Sequence, residues 1–199
     1  MYDIEIKKGR TFRYDIWFGG EPPPTVTWER NGLKVEPNER TSIEMFCKKT
    51  VYCERNSVLT VVKSERAVDG GLYKIRLVCD AGTFEATGYV NVLDAPEKPR
   101  NLALDEVRAE HVKISWAVPE DDGGTPITGY IVRVLDLEGG EWMTVAETKP
   151  NALNAAIKGL KPGHLYQLEV CAINKEGIGP PVRTKDPIKA ENPYGRFSQ

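Results

Sequence analysis

The sequence predicts an all-β protein of two β-sandwiches, each of about seven strands, joined end to end by a short linker. Three observations carry this. Apolar residues recur with a period of two nearly throughout, as in half-buried strands, where a helix would show 3.6. Glycine, proline and asparagine clusters punctuate the alternating runs. The pattern then occurs a second time around a different set of tryptophan and tyrosine anchors.

In the first half the alternation reads Tyr14, Ile16, Phe18, then Val26 and Trp28, Ile43, Met45 and Cys47, Leu59 and Val61, Tyr73, Ile75 and Leu77, and finally Val90 and Val92. Gly19-Gly20-Glu21-Pro22-Pro23-Pro24 breaks the chain before Trp28, Asn31-Gly32 offers a hairpin turn, and Asp80-Ala81-Gly82 turns it before the last strand. Trp17 sits between Ile16 and Phe18, so alternation directs it away from the core that its neighbours face. The second half runs Val112, Ile114, Trp116, then Tyr130, Val132, Val134, Trp142 with Val145, and Tyr166, Leu168, Val170, Ala172. Between the halves, Pro96 and Pro99 push Ala95 and Lys98 into extended conformations, giving a short, semi-rigid joint. The expected boundaries are a first domain over 1–94, a linker over 95–99, a second domain over 100–193 and a tail over 194–199.

Bulk properties narrow the function classes. A chain of 199 residues accommodates two domains of roughly 100 residues, each able to bury its own core. Hydrophobic content of 40% with 28% charge is that of a folded soluble protein. No apolar run approaches the ~20 residues that span a bilayer, and Met1-Tyr2-Asp3-Ile4-Glu5 has no secretory character. A net charge of −2, with both signs in each half, speaks against nucleic acid as a partner. The chain has 4 cysteines and no Asn-x-Ser/Thr acceptor.

No catalytic or cofactor arrangement emerges. His111 and His164 are the only histidines and have no ligand spacing around them. Gly177-Ile178-Gly179 lacks the third glycine and the following helix of a dinucleotide loop. Glu120-Asp121-Asp122 offers one short loop where calcium needs about six to eight oxygen ligands. Cys47 and Cys53 form a pair without the further ligands of structural zinc.

The motifs resemble known families. Gly20-Glu21-Pro22, Pro24, Val26-Thr27-Trp28 and Asn31-Gly32 with Asp69, Gly71 and Tyr73 resemble an immunoglobulin I-set domain. Trp116, Pro119, Asp122-Gly123-Gly124-Thr125-Pro126, Gly129-Tyr130, Trp142, Leu160, Pro162-Gly163, Tyr166, Ala172, Asn174, Gly177 and Gly179 resemble a fibronectin type III domain. The pairing is similar to the tandems of giant muscle proteins of the titin and twitchin type.

This resemblance implies a core built on Ile16, Trp28, Tyr73 and Ile75 in the first domain and on Trp116, Tyr130 and Tyr166 in the second. Ile16 and Ile75 stand at the two positions where an inter-sheet disulfide is usual, which implies a reducing compartment. Trp28 is expected to pack on both isoleucines. The hydroxyls of Tyr73 and Tyr166 are expected to donate to backbone acceptors, and Arg40 to pair with Asp69. The implied function is a non-enzymatic, force-bearing scaffold of the sarcomere, in the A-band, without cofactors. Its implied partners are neighbouring domains of the parent chain and myosin or other thick-filament proteins, not nucleic acid or membrane. An extracellular adhesion or receptor module, and a domain pair regulating an attached kinase, are the alternative readings.

Candidate contact positions follow from exposure and topology. Trp17 is one. Cys47 and Cys53 lie in the interval from Thr41 to Ser57, which is longer than the usual connection and reads as an elongated hairpin. Seven strands are an odd number, so a chain entering one pole leaves at the other. That places the loops over 120–126 and 174–181, with Asp122, Gly123, Asn174 and Gly177, at the entry pole of the second domain.

Overall fold

Alternating residues and two-residue turns build a series of antiparallel ladders, and the computed structural model describes residues 1–48 and 54–192 of them. Contacts divide the chain into two units, Met1–Leu93 and Asp94–Gln199.

The first unit comprises β1 (Ile4–Lys7), β2 (Phe12–Phe18), β3 (Thr25–Arg30), β4 (Leu33–Lys34), β5 (Thr41–Lys48), β6 (Glu54–Val61), the single helical turn α1 (Arg66–Asp69), β7 (Gly71–Cys79) and β8 (Gly82–Leu93). Two sheets result, in the orders β1-β8-β7-β3-β4 and β2-β6-β5, with β1 running parallel to β8. Asn31 (φ 49°) and Gly32 (φ 80°) form the turn from β3 to β4, where both residues need the left-handed region that these types tolerate. Between the sheets lie Phe12, Tyr14, Trp28, Leu59, Val61, Tyr73, Ile75, Val90 and Val92. Tyr14 occupies the centre of this core, fully buried and stacked on Trp28 with ring centroids 6.1 Å apart. Ile16 packs against the cluster from its margin and is only half-buried. Under the sandwich, Arg40 Nη1 donates to Asp69 Oδ2 at 2.7 Å and to the Lys63 carbonyl at 3.1 Å.

The second unit comprises β9 (Arg100–Val107), β10 (His111–Ala117), β11 (Gly129–Asp136), β12 (Met143–Thr148), β13 (Asn154–Lys158), β14 (Leu165–Asn174), β15 (Gly177–Ile178), β16 (Val182–Arg183) and β17 (Ile188–Lys189). One sheet runs β13-β10-β9, and the other β12-β11-β14, with β15, β16 and β17 paired in turn to β14. Val112, Ile114, Trp116, Tyr130, Val132, Tyr166, Leu168 and Val170 fill the core between them.

Two expectations need correction. Trp142 with Val145 is no core anchor: Val145 is exposed, and Trp142 is half-buried beneath Arg183, whose guanidinium lies 5.2 Å from the ring centroid. Arg183 in turn binds Glu169, as does Arg133, so the indole completes a charged row on the outer face. Among the described residues Tyr166 donates to no carbonyl; its oxygen accepts from the Lys161 N–H at 2.9 Å, because the turn before β14 presents an amide there. Tyr73 does donate, to the Asp69 carbonyl at 3.0 Å.

Candidate functional site

In place of a disulfide, the first unit's sheets are linked by a polar contact: Trp28 Nε1 on β3 donates to Ser57 Oγ on β6 at 2.9 Å. Both residues are buried, so the indole N–H is satisfied without water. Burial pushes the Tyr73 phenol up to about 12 and the Tyr14 phenol higher still. Tyr14 also keeps a polar contact, its hydroxyl donating to the Tyr2 carbonyl at 3.1 Å. In the second unit, Trp116 and Tyr130 pack ring to ring at 5.4 Å. Their Nε1 and hydroxyl groups are buried with no hydrogen-bond partner among the described residues.

The glycine-rich loops of the second unit close on its own first residues. Asp94 N donates to the Gly123 carbonyl and Glu97 N to the Asp121 carbonyl, each at 2.9 Å. Asn174, only 4% exposed, donates through Nδ2 to the carbonyls of Asp94 and Asp122, both at 2.8 Å. Its Oδ1 accepts from the amides of Glu176 and Gly177 at 2.8 and 3.1 Å. Gly123 holds φ at 80°, and a Cβ there would collide with the Asp94 carbonyl and the Asn174 side chain. A Cβ on Gly179 would likewise strike the Pro96 carbonyl. The carboxylates of Asp121 and Asp122 accept from the amides of Gly123 and Gly124, bending the loop on itself. Asp122, Gly123, Asn174 and Gly177 are thus brought together around the segment 94–97.

One titratable cluster of the second unit forms a corner clasp. His164 Nδ1 lies 3.0 Å from Asp136 Oδ2, and its Nε2 lies 3.4 Å from Glu138 Oε2. The Asp136 carboxyl is held below its usual range, chiefly by the backbone N–H of Glu138 and then by His164. Cys171 is buried, and its thiol is pushed up by that burial and by Glu169.

Exposed apolar side chains occur on β2 and β5 among other places. Trp17 is 59% exposed and Phe46 51%. The register places Trp17 opposite Asn56 and Asn56 opposite Phe46, so the three form one row on the outer face. Asn56 is buried between the two aromatics and donates to Asp15 Oδ1 at 2.7 Å. On the inner face Met45 is 50% exposed and the Cys47 thiol is open to solvent. Cys53 lies outside the described residues. Sequence reasoning passed over Phe46, although Phe46 breaks alternation between Met45 and Cys47 just as Trp17 does between Ile16 and Phe18. It also passed over Ser57, which the alternation with Leu59 and Val61 places on the core face without revealing its partner.

Two sandwiches with these loops and anchors are the architecture of tandem immunoglobulin-like modules. The immunoglobulin I-set domain profile matches residues 1–92, and the fibronectin type III domain profile matches residues 97–185. The chain is an immunoglobulin I-set domain followed by a fibronectin type III domain.

It is similar to titin of Drosophila melanogaster, 28% identical over 184 residues, covering 92% of this chain and 1% of that protein. It is also similar to the fast-type myosin-binding protein C of Gallus gallus, 30% identical over 187 residues, covering 93% of this chain and 16% of that protein. The chain therefore spans a small part of either relative. A crystal structure of titin domains shares the fold at a TM-score of 0.52 and 24% identity, over 96% of this chain and 62% of that one.

Proposed function

We propose that this tandem is a non-enzymatic structural and scaffolding module of a giant muscle filament protein, acting in the sarcomeric A-band by linking domains in series and presenting surfaces to thick-filament partners such as myosin. The observation that carries this is the continuous similarity to titin and to myosin-binding protein C across both domains. Side-chain chemistry supports it: Asn174, Asp121 and Asp122 are engaged with backbone of their own unit, and His164 with neighbouring carboxylates. Asp122, Gly123, Asn174 and Gly177 accordingly serve as a seat for residues 94–97, in preference to a partner site. Buried Ile75 and the free thiols of Cys47, Cys79 and Cys171 favour a reducing compartment over an extracellular one.

Expression of the tagged tandem in muscle cells, imaged against myosin, tests the reading, with cosedimentation on purified myosin filaments as the binding arm. Striated A-band signal is the expected result. Diffuse signal with no cosedimentation would remove the thick-filament assignment, and secretion of the protein would favour an adhesion module.

A further inference from the structure

Strand β5 ends in five consecutive exposed residues, Glu44-Met45-Phe46-Cys47-Lys48, and it is the outermost strand of the β2-β6-β5 sheet. Its inner edge is in unbroken register with β6, from Thr41 opposite Val61 to Lys48 opposite Glu54. The outer edge of 44–48 contains no proline, glycine or bulge, and no backbone hydrogen bond reaches it among the described residues. Sheet proteins ordinarily blunt such an edge with charge, proline or a covering segment. Here the outer face of the edge carries Phe46 between Glu44 and Lys48, and the inner face carries Met45 and Cys47, all exposed.

The sequence of β5 indicates which strand would fit. Laid antiparallel on its own image, with the two-fold axis beside Phe46, Glu44 falls opposite Lys48 of the second copy, Lys48 opposite Glu44, Met45 opposite Cys47, and Phe46 opposite Phe46. Opposite charges directly across an antiparallel ladder stabilise the pairing, and like charges oppose it. Registers that keep the outer faces together differ by two residues. Those neighbours set Glu44 or Lys48 against Phe46 and lose both charge pairs. The strand is thus complementary to itself in one register, as an isologous contact requires.

We infer that β5 is a self-association edge, through which two copies of this chain pair antiparallel over residues 44–48 and join their three-stranded sheets into one. Across the axis the row Trp17, Asn56, Phe46 continues into Phe46, Asn56 and Trp17 of the second copy, forming an aromatic band over the junction.

The test uses the whole chain under reducing conditions, so that Cys47 cannot crosslink, with sedimentation equilibrium over a concentration series. Wild type shows a monomer–dimer equilibrium. Glu44→Lys and Lys48→Glu each place two like-charged pairs in the junction and weaken dimerisation by at least about tenfold. Both positions are exposed, and unchanged thermal midpoints verify that the variants fold. Mixing the two variants restores association, since position 44 of each copy then again faces an opposite charge at position 48 of the other. A wild type that stays monomeric, a dimer indifferent to either substitution, or a mixture that fails to associate overturns the proposal. The monomeric outcome would leave the edge to a different partner.

Discussion

Trp28 on β3 and Ser57 on β6 are joined across the two sheets of the first unit by one buried hydrogen bond, Nε1 to Oγ at 2.9 Å. Ser57→Ala leaves a buried indole N–H unpaired and should cost about 1–3 kcal/mol. Trp28→Ala removes the aromatic itself and should cost about 3–5 kcal/mol. Denaturant unfolding should show both losses in the first unit's transition alone. A Ser57→Ala protein as stable as wild type would show that the contact contributes nothing.

Free thiols should number four in the purified protein, matching the 4 cysteines of the sequence, and reductant should leave its unfolding midpoint unchanged. Native-state labelling should modify exposed Cys47 quickly and Cys171, at 1% exposure, only after unfolding. A stabilising intramolecular bridge found by mass spectrometry would count against a reducing compartment.

The tyrosine hydroxyls should respond unequally to removal. Tyr73→Phe breaks a buried bond to the Asp69 carbonyl and should destabilise by about 1 kcal/mol. Tyr130→Phe deletes a buried hydroxyl that has no partner among the described residues and should be neutral or stabilising. Equal losses in thermal unfolding of the two variants would contradict this contrast.

High pH should unfold the first unit through its phenols. Tyr73 titrates near 12 when folded against an ordinary value of 10.0, and Tyr14 is raised further. The stability from keeping them protonated is complete below the unfolded value and is lost as pH rises through 10 towards 12 and beyond. Phenolate absorbance of these two residues should therefore appear together with loss of circular dichroism. Their ionisation in a still-folded protein would show that both are accessible.

Gly123→Ala should destabilise the second unit by at least about 1 kcal/mol, because the new methyl meets the Asp94 carbonyl at a positive φ. Gly177→Ala meets no neighbour within 4 Å and carries only the backbone strain of φ 147°. Limited proteolysis near residue 94 should accelerate in the first variant and much less in the second.

The period of two made the strands legible, and the turn residues located their ends, since Asn31-Gly32 and Asp80-Ala81 fall between paired strands. Side-chain roles set by cross-sheet or cross-loop partners were not legible. Ser57 is an ordinary strand serine until β3 brings Trp28 above it. Trp142 is an aromatic in an apolar context until Arg183, remote in sequence, covers it. Asn174 matched a motif position, yet only the closed loops show that its amide grips the carbonyls of Asp94 and Asp122. Periodicity reports which face a residue takes, not which neighbour it meets there.

The clasp on residues 94–97 changes what counts as the beginning of the second domain. The fibronectin profile starts at residue 97 and the first strand at Arg100, yet Asp94 is already bonded to Gly123 and Asn174. A fragment cut at the profile boundary would remove the Asp94 partner of both the Asn174 amide and the Gly123 carbonyl in the folded domain. In a tensioned chain, pull arriving at Asp94 would load the loops around Asp122 and Asn174 before it reached β9. If the tandem bears load as proposed, the bonds that seat Asp94 are then part of the second domain's own stability, not of a free joint.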